Sequence, residues 1–104
     1  MTVSIILPTL NEAGCLGQTL ASLREQSPHE ILVVDGGSTD ETCRLAQAAD
    51  RLLQGARGRA AQMNLGAAHA SGDVLLFLHA DCTLEAGALT VAEKCLAPRR
   101  VAAG

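Results

Sequence analysis

The sequence predicts an α/β fold built on a mainly parallel sheet, and three observations carry that expectation. Short apolar, β-branched runs alternate with segments of helical period. The runs at 31–34 and 74–78 are wholly apolar and that at 3–7 is apolar but for Ser4, without the strict alternation of a half-exposed strand, as strands buried on both faces are. Each intervening segment is long enough for a parallel crossover.

The first run, residues 3–7, is Val-Ser-Ile-Ile-Leu and meets Pro8. Asn11 is placed to cap a helix in which Leu16, Leu20 and Leu23 recur at helical spacing to about Gln26. Pro28 breaks that pattern. Residues 31–34 form a second apolar run, stopped by Asp35-Gly36-Gly37. Ser38 or Thr39 can cap a second helix to about Ala49, with Asp40 and Glu41 in its first turn. Residues 51–53 are a weaker third strand, and 55–59 a glycine- and arginine-bearing loop. A helix rich in small residues follows over about 60–70, ended by Ser71-Gly72. Residues 74–78 are the most apolar strand, with His79-Ala80-Asp81 directly after it. A last amphipathic helix spans 84–97 and stops at Pro98. Residues 101–104 read as the start of another strand.

Composition narrows the class. The chain has 104 residues, which suffices for one small domain, here 1–104, and not for two. Eighteen Ala, sixteen Leu and a single Phe imply a core made by close backbone approach more than by rings. A net charge of −3 argues against a nucleic-acid binder held by phosphate contacts, and the absence of Trp and Tyr argues against base-stacking platforms. No apolar run approaches the roughly 20 residues of a membrane span, and no basic start precedes an apolar stretch, so membrane contact is not indicated and the chain reads as cytoplasmic. Cys15, Cys43, Cys82 and Cys95 contain no CxxC pair and read as reduced, small apolar residues.

In parallel α/β sheets, ligands bind outside the carboxyl ends of the strands. Here those ends carry Pro8-Thr9, Asp35 and His79-Ala80-Asp81, so the polar chemistry converges on one edge. Known phosphate cradles do not fit it. The loop after the first strand has one glycine where a dinucleotide fingerprint needs GxGxxG, and Lys94, the only lysine, is far from any Walker A position. A carboxylate-based site remains. Asp35, followed by two glycines, can accept a hydrogen bond from a ring N–H such as that of uracil, or simply form the turn. Asp81 can hold a divalent cation against a diphosphate, or cap the helix that follows. Glu12 reads equally as first-turn helix charge.

Four blocks, read together, resemble a known family. Residues 4–12 (Ser-Ile-Ile-Leu-Pro-Thr-Leu-Asn-Glu) resemble the opening of the family 2 glycosyltransferases, which have the GT-A fold, a Rossmann-like three-layer sandwich. Residues 33–40 (Val-Val-Asp-Gly-Gly-Ser-Thr-Asp) are similar to that family's second motif, commonly VVDDGSTD. Residues 58–73 look like its third block, and 76–81 stand where it carries a DxD motif. The Gly58-Arg59-Ala60-x-Gln62-Met63-Asn64 and His79-Ala80-Asp81 variants resemble a bacterial subgroup linked to arsenosugar biosynthesis.

The resemblance implies a nucleotide-diphosphate sugar donor, UDP-linked by the family's commonest usage, and an acceptor it does not name. Pro8, Thr9 and Glu12 would line the nucleotide pocket, and Asp35 would contact the base. Arg59 and Asn64 would border the base or phosphates. Asp81 would hold Mg²⁺ or Mn²⁺ on the leaving diphosphate. His79 replaces the first Asp of DxD and would contact the nucleotide-sugar or a softer metal. The family transfers sugar with inversion, using a carboxylate base that lies downstream of these blocks. No catalytic residue is therefore expected within the chain, which reads as the donor half, truncated before the acceptor-binding half. Alone it is expected to bind nucleotide weakly, to be inactive in transfer, and to self-associate through an open strand edge. A non-catalytic GT-A-like binding or assembly module is the main alternative. A nucleotidyltransferase is a weaker one, because its glycine- and lysine-rich first loop is lacking.

Overall fold

The computed structural model describes residues 2–80 and, as backbone, residues 100–103. The helix expected over 84–97 and the Asp81 position lie outside the described residues.

Five parallel strands form one sheet. They are β1 (Val3–Thr9), β2 (Glu30–Asp35), β3 (Arg51–Gln54), β4 (Val74–Phe77) and β5 (Arg100–Ala103), in the order β3-β2-β1-β4-β5. Helices α1 (Leu16–Arg24), α2 (Thr42–Leu45, continued by a 3-10 turn at Ala46–Ala48) and α3 (Arg59–His69) make the crossovers. The chain steps from β1 outward to β2 and β3, then returns past β1 to β4. Right-handed crossovers put helices made in opposite directions on opposite faces, and the two cores follow. Val3, Ile5 and Leu7 of β1 pack with Ile31, Val33, Leu16, Leu20, Leu23 and Ala46 on the α1/α2 face. Ile6 of β1 packs with Leu32, Val34, Leu75 and Phe77 beneath α3, whose Met63, Leu65 and Ala67 close over them. The period-2 alternation of a strand sorts β1 between the two layers, and both sides are sealed. This is the expected α/β three-layer arrangement.

Small residues set the layer spacing. At Gly66 of α3 an added Cβ would come within 2.5 Å of Ile6 Cγ2 and 3.1 Å of Val34 Cγ2. Glycine in mid-helix is unfavourable by about 1 kcal/mol relative to alanine, and here it lets the helix lie directly on the sheet.

Three local features differ from the sequence reading. Strand β1 does not stop at Leu7 but runs through Pro8 to Thr9. The carbonyl of Ile6 accepts from Leu78 N–H on the β4 side, while those of Val3 and Thr9 accept from His29 and Gly36 on the β2 side. The nitrogen of Pro8 therefore faces β4, where the ladder has already ended at the Ile6–Phe77 pair. A residue without N–H breaks no bond at that place. Second, Asn11 does not cap α1, which starts at Leu16. Asn11 takes a left-handed conformation (φ 54°), and its side chain reaches the neighbouring loop. Third, the helix expected from Ser38 or Thr39 to Ala49 shrinks to α2 and its 3-10 turn, because the side chains of Ser38 and Asp40 are engaged in that same loop.

Replacing Gly66 with valine forces α3 off the sheet. The expected loss is about 3 kcal/mol of folding stability, measured by urea unfolding with an unchanged m-value.

Candidate functional site

The carboxyl edge of the sheet is organised around Asp35. The β1–β2 register sets Thr9 beside Asp35. Thr9 Oγ1 donates to Asp35 Oδ1 at 2.9 Å, and Ser38 Oγ donates to the same oxygen at 2.5 Å. Asp35 Oδ2 accepts from the backbone N–H of Gly37 (3.0 Å) and of Ser38 (2.7 Å). Gly37 makes this turn with φ 103°, a left-handed conformation that suits glycine. Burial pushes the Asp35 carboxyl group upward, but donors from Ser38, Thr9 and Gly37 outweigh it and hold the pKa below the ordinary value of 3.8. Asp35 is 1% exposed, so its carboxylate forms part of the floor.

From this floor the bonds continue outward. Asn11 N–H donates to Ser38 Oγ (2.8 Å), and Asn11 Oδ1 accepts from Thr39 N–H (2.8 Å). Glu12 N–H donates to Thr42 Oγ1 (2.8 Å), and Ala13 N–H to Asp40 Oδ2 (3.3 Å). Asp40 also accepts from the backbone N–H and the hydroxyl of Thr42. Its carboxyl group titrates below the ordinary range, chiefly because of those Thr42 bonds. The loops after β1 and β2 are thus joined into one rim.

Beside the rim, where β1 and β4 part, lies a cavity of about 140 Å³. Pro8, Leu10 and Glu12 form one wall, Phe77, Leu78 and His79 another, and Arg59, Gln62 and Met63 of α3 the third. This is the topological switch point of the sheet, since the strand order reverses between β1 and β4. Its lining mixes apolar side chains with the polar ones of Glu12, Arg59, Gln62 and His79. Arg59, the first residue of α3, brings a guanidinium to the positive end of the helix dipole, and among the described residues it has no ion-pair partner. Thr19 Oγ1 and Cys15 Sγ reach the carbonyl of Ala80, anchoring the end of β4 to α1 just past His79.

Of the residues singled out from sequence, the structure brings Pro8, Glu12, Arg59 and His79 together around the cavity. Thr9 and Asp35 lie behind it as buried partners. Asn64 is exposed on α3 outside the lining. Asp81 lies outside the described residues, among which no group of three His, Cys, Asp or Glu side chains forms a metal cluster. No helix among them is long and apolar enough to cross a membrane.

Sequence reasoning passed over Gln62. It is 5% exposed, and its amide joins the site's walls: Nε2 donates to the carbonyls of Thr9 and Val34, both at 2.8 Å, and Oε1 accepts from Gly58 N–H at 3.3 Å. One signal was available. Gly36 stands where the motif VVDDGSTD carries a second Asp, which leaves space for another side chain.

The family model described as Glycosyl transferase family 2 matches residues 4–95. The chain belongs to this family. A PGL/p-HBAD biosynthesis glycosyltransferase of Mycobacterium bovis is 42% identical over 91 residues, covering 78% of this chain and 36% of that protein. Among solved structures, S. aureus TarS in complex with UDP-GlcNAc superposes with a TM-score of 0.77 at 27% identity, covering 90% of this chain and 30% of that one. Glucosyl-3-phosphoglycerate synthase from Mycobacterium tuberculosis, in complex with Mn²⁺, UDP and glucosyl-3-phosphoglycerate, superposes with a TM-score of 0.69 at 26% identity, covering 76% and 33%. These neighbours are GT-A glycosyltransferases. The chain spans about a third of the length of the curated relatives it matches.

Asp35→Asn replaces an acceptor with an amide that cannot take all four donors. The expected loss is about 3 kcal/mol at pH 7. Because the folded pKa is depressed, the carboxylate's contribution is complete above the unfolded value near 3.8 and fades as pH falls through the folded value. Chemical denaturation from pH 7 down to pH 3 should therefore show the wild type converging on the variant at the acid end.

Proposed function

We propose that this chain is the donor-binding half of an inverting, metal-dependent glycosyltransferase that takes a nucleotide-diphosphate sugar, UDP-linked, and passes the sugar to a hydroxyl acceptor. The observation that carries this reading is the cavity at the switch point. Its lining combines apolar side chains, a guanidinium at a helix N-terminus, a carboxylate and an imidazole, in a family whose neighbours are crystallised with UDP or UDP-GlcNAc.

The chemistry assigns each residue a task. Arg59 and the first turn of α3 hold diphosphate oxygens by charge-assisted hydrogen bonds. Pro8 and Leu10 give the nucleoside an apolar wall, and Glu12 accepts from ribose hydroxyls. Thr9 and Asp35 act from behind by fixing the loop that carries this wall, while Asn64, outside the lining, is left to contact the bound base or phosphates from the exposed side of α3. Asp81, two residues after His79 in the sequence, is the carboxylate that would hold Mg²⁺ or Mn²⁺ against the diphosphate. When bound, the cation neutralises charge on the departing diphosphate. The carboxylate base that deprotonates the acceptor is assigned to a segment beyond these blocks. The variant third and fourth blocks support a place in the arsenosugar-biosynthesis-like subgroup.

The second reading, a non-catalytic GT-A-like module, is favoured by His79 in place of an aspartate. Calorimetric titration of UDP with and without Mn²⁺ separates the two. The transferase reading expects Mn²⁺ to tighten UDP binding, Asp81→Ala to remove that gain, and Arg59→Ala to raise Kd about tenfold, equivalent to roughly 1.4 kcal/mol. UDP affinity that ignores both the metal and Arg59 would overturn it.

A further inference from the structure

Gly36 poses a question that its own backbone does not answer. Unlike Gly37 and Gly58, it is not among the residues with positive φ, so its conformation is open to any residue. It is buried, and an added Cβ would lie 2.9 Å from Gln62 Oε1, 3.0 Å from Cδ and 3.1 Å from Nε2. What requires a glycine there is the amide of Gln62.

That amide is engaged on every side. One nitrogen bridges the carbonyls of Thr9 and Val34, at the ends of β1 and β2, and Thr9 O also takes Gly36 N–H at 3.0 Å. The oxygen takes the N–H of Gly58, the residue just before α3, whose φ is 135°. The main chain returns the contact, with Gln62 N–H donating to Gly58 O at 2.9 Å. A single side chain therefore joins the strand wall of the cavity, next to Pro8, to the helix wall, next to Arg59. Nothing else described spans those two walls with hydrogen bonds.

We propose that Gln62 is the positioning residue of this cavity, fixing the distance between the Pro8 wall and the Arg59 wall, and that Gly36 is glycine to leave room for its amide. For its ligand the proposal rests on the donor-site reading above. For the clamp itself it rests on geometry alone. The Gln62 amide is the far end of a flexible side chain, so a methyl group at residue 36 is accommodated by swinging the amide aside. The fold survives, and the clamp is lost.

The test uses Gly36→Ala, Gln62→Met, which keeps length without donors, and the pair Gly36→Ala with Gln62→Ala. UDP in the presence of Mn²⁺ is the binding probe, and hydrogen exchange at the Gly58 amide is the ligand-free one. Both are read well below each variant's melting temperature, so that a loss of stability alone does not move them. Gly36→Ala and Gln62→Met should each weaken UDP about tenfold and speed exchange at Gly58. Gly36→Ala in the Gln62→Ala background should add less than about twofold, since the two residues act as one unit. Wild-type affinity with a protected Gly58 amide in Gly36→Ala overturns the proposal, as do effects that multiply in the pair. If wild-type protein binds no UDP, the donor reading fails by itself. The clamp is then judged on exchange: faster exchange at Gly58 in Gly36→Ala sustains it, and unchanged protection overturns it.

Discussion

An ionised carboxylate sealed from water is costly unless its lone pairs are met, and the carboxyl edge of this sheet is built around satisfying one. Asp35 draws four donors from three places: the hydroxyl of Thr9 on the neighbouring strand, the backbone of Gly37 and Ser38 in the turn, and the hydroxyl of Ser38. Each donor is placed only when the β1–β2 register and the left-handed turn at Gly37 are both correct. Charge burial thus becomes a check on geometry. Because Ser38 also accepts from Asn11, and Thr42 accepts from Glu12, the same requirement fixes the loop that carries the cavity's first wall.

This accounts for what the sequence disclosed and what it withheld. Strands buried on both faces announce themselves as apolar runs without strict alternation, so β1, β2 and β4 were legible, and so was the convergence of polar residues on one edge. The second helix was not. Ser38, Asp40 and Asn11 are the residue types that cap helices, and each has an alternative use in bonding a neighbouring loop. A single sequence does not show which partner wins, because the competing donors lie 27 or 28 residues away in the chain. The extent of β1 was misjudged for a related reason. Proline ends a strand only if its missing N–H is needed, and that depends on where β4 stops.

Gln62 illustrates the deeper limit. In the sequence Gln62 stands out only as one letter of a block variant, and its setting appears only once α3 lies on the sheet at the distance Gly66 permits. Two glycines far apart in sequence therefore serve one end. Gly66 brings the helix down to the strands, and Gly36 makes room for the amide that then spans helix and strands. Neither has a positive φ, so both are explained by contact and not by backbone freedom.

The position of the cavity follows from the same contacts. Strands β1 and β2 are held together to their last residues, Thr9 and Asp35. Strands β1 and β4 separate three residues earlier, after Ile6 and Phe77, with Pro8 presenting no donor across the gap. A crevice opens on that side of β1 and not on the other. The strand order reverses there, which makes it the switch point at which ligands bind in such sheets. What remains is to keep the third wall, α3, at a fixed distance from an opening that the sheet no longer holds together. Apolar packing of Met63 and Leu65 gives attraction without direction, whereas three hydrogen bonds from one buried amide specify both spacing and angle. The polar edge of the sheet is thus rigid on the β2 side through Asp35, and on the α3 side through Gln62, with the apolar cavity between two hydrogen-bonded supports.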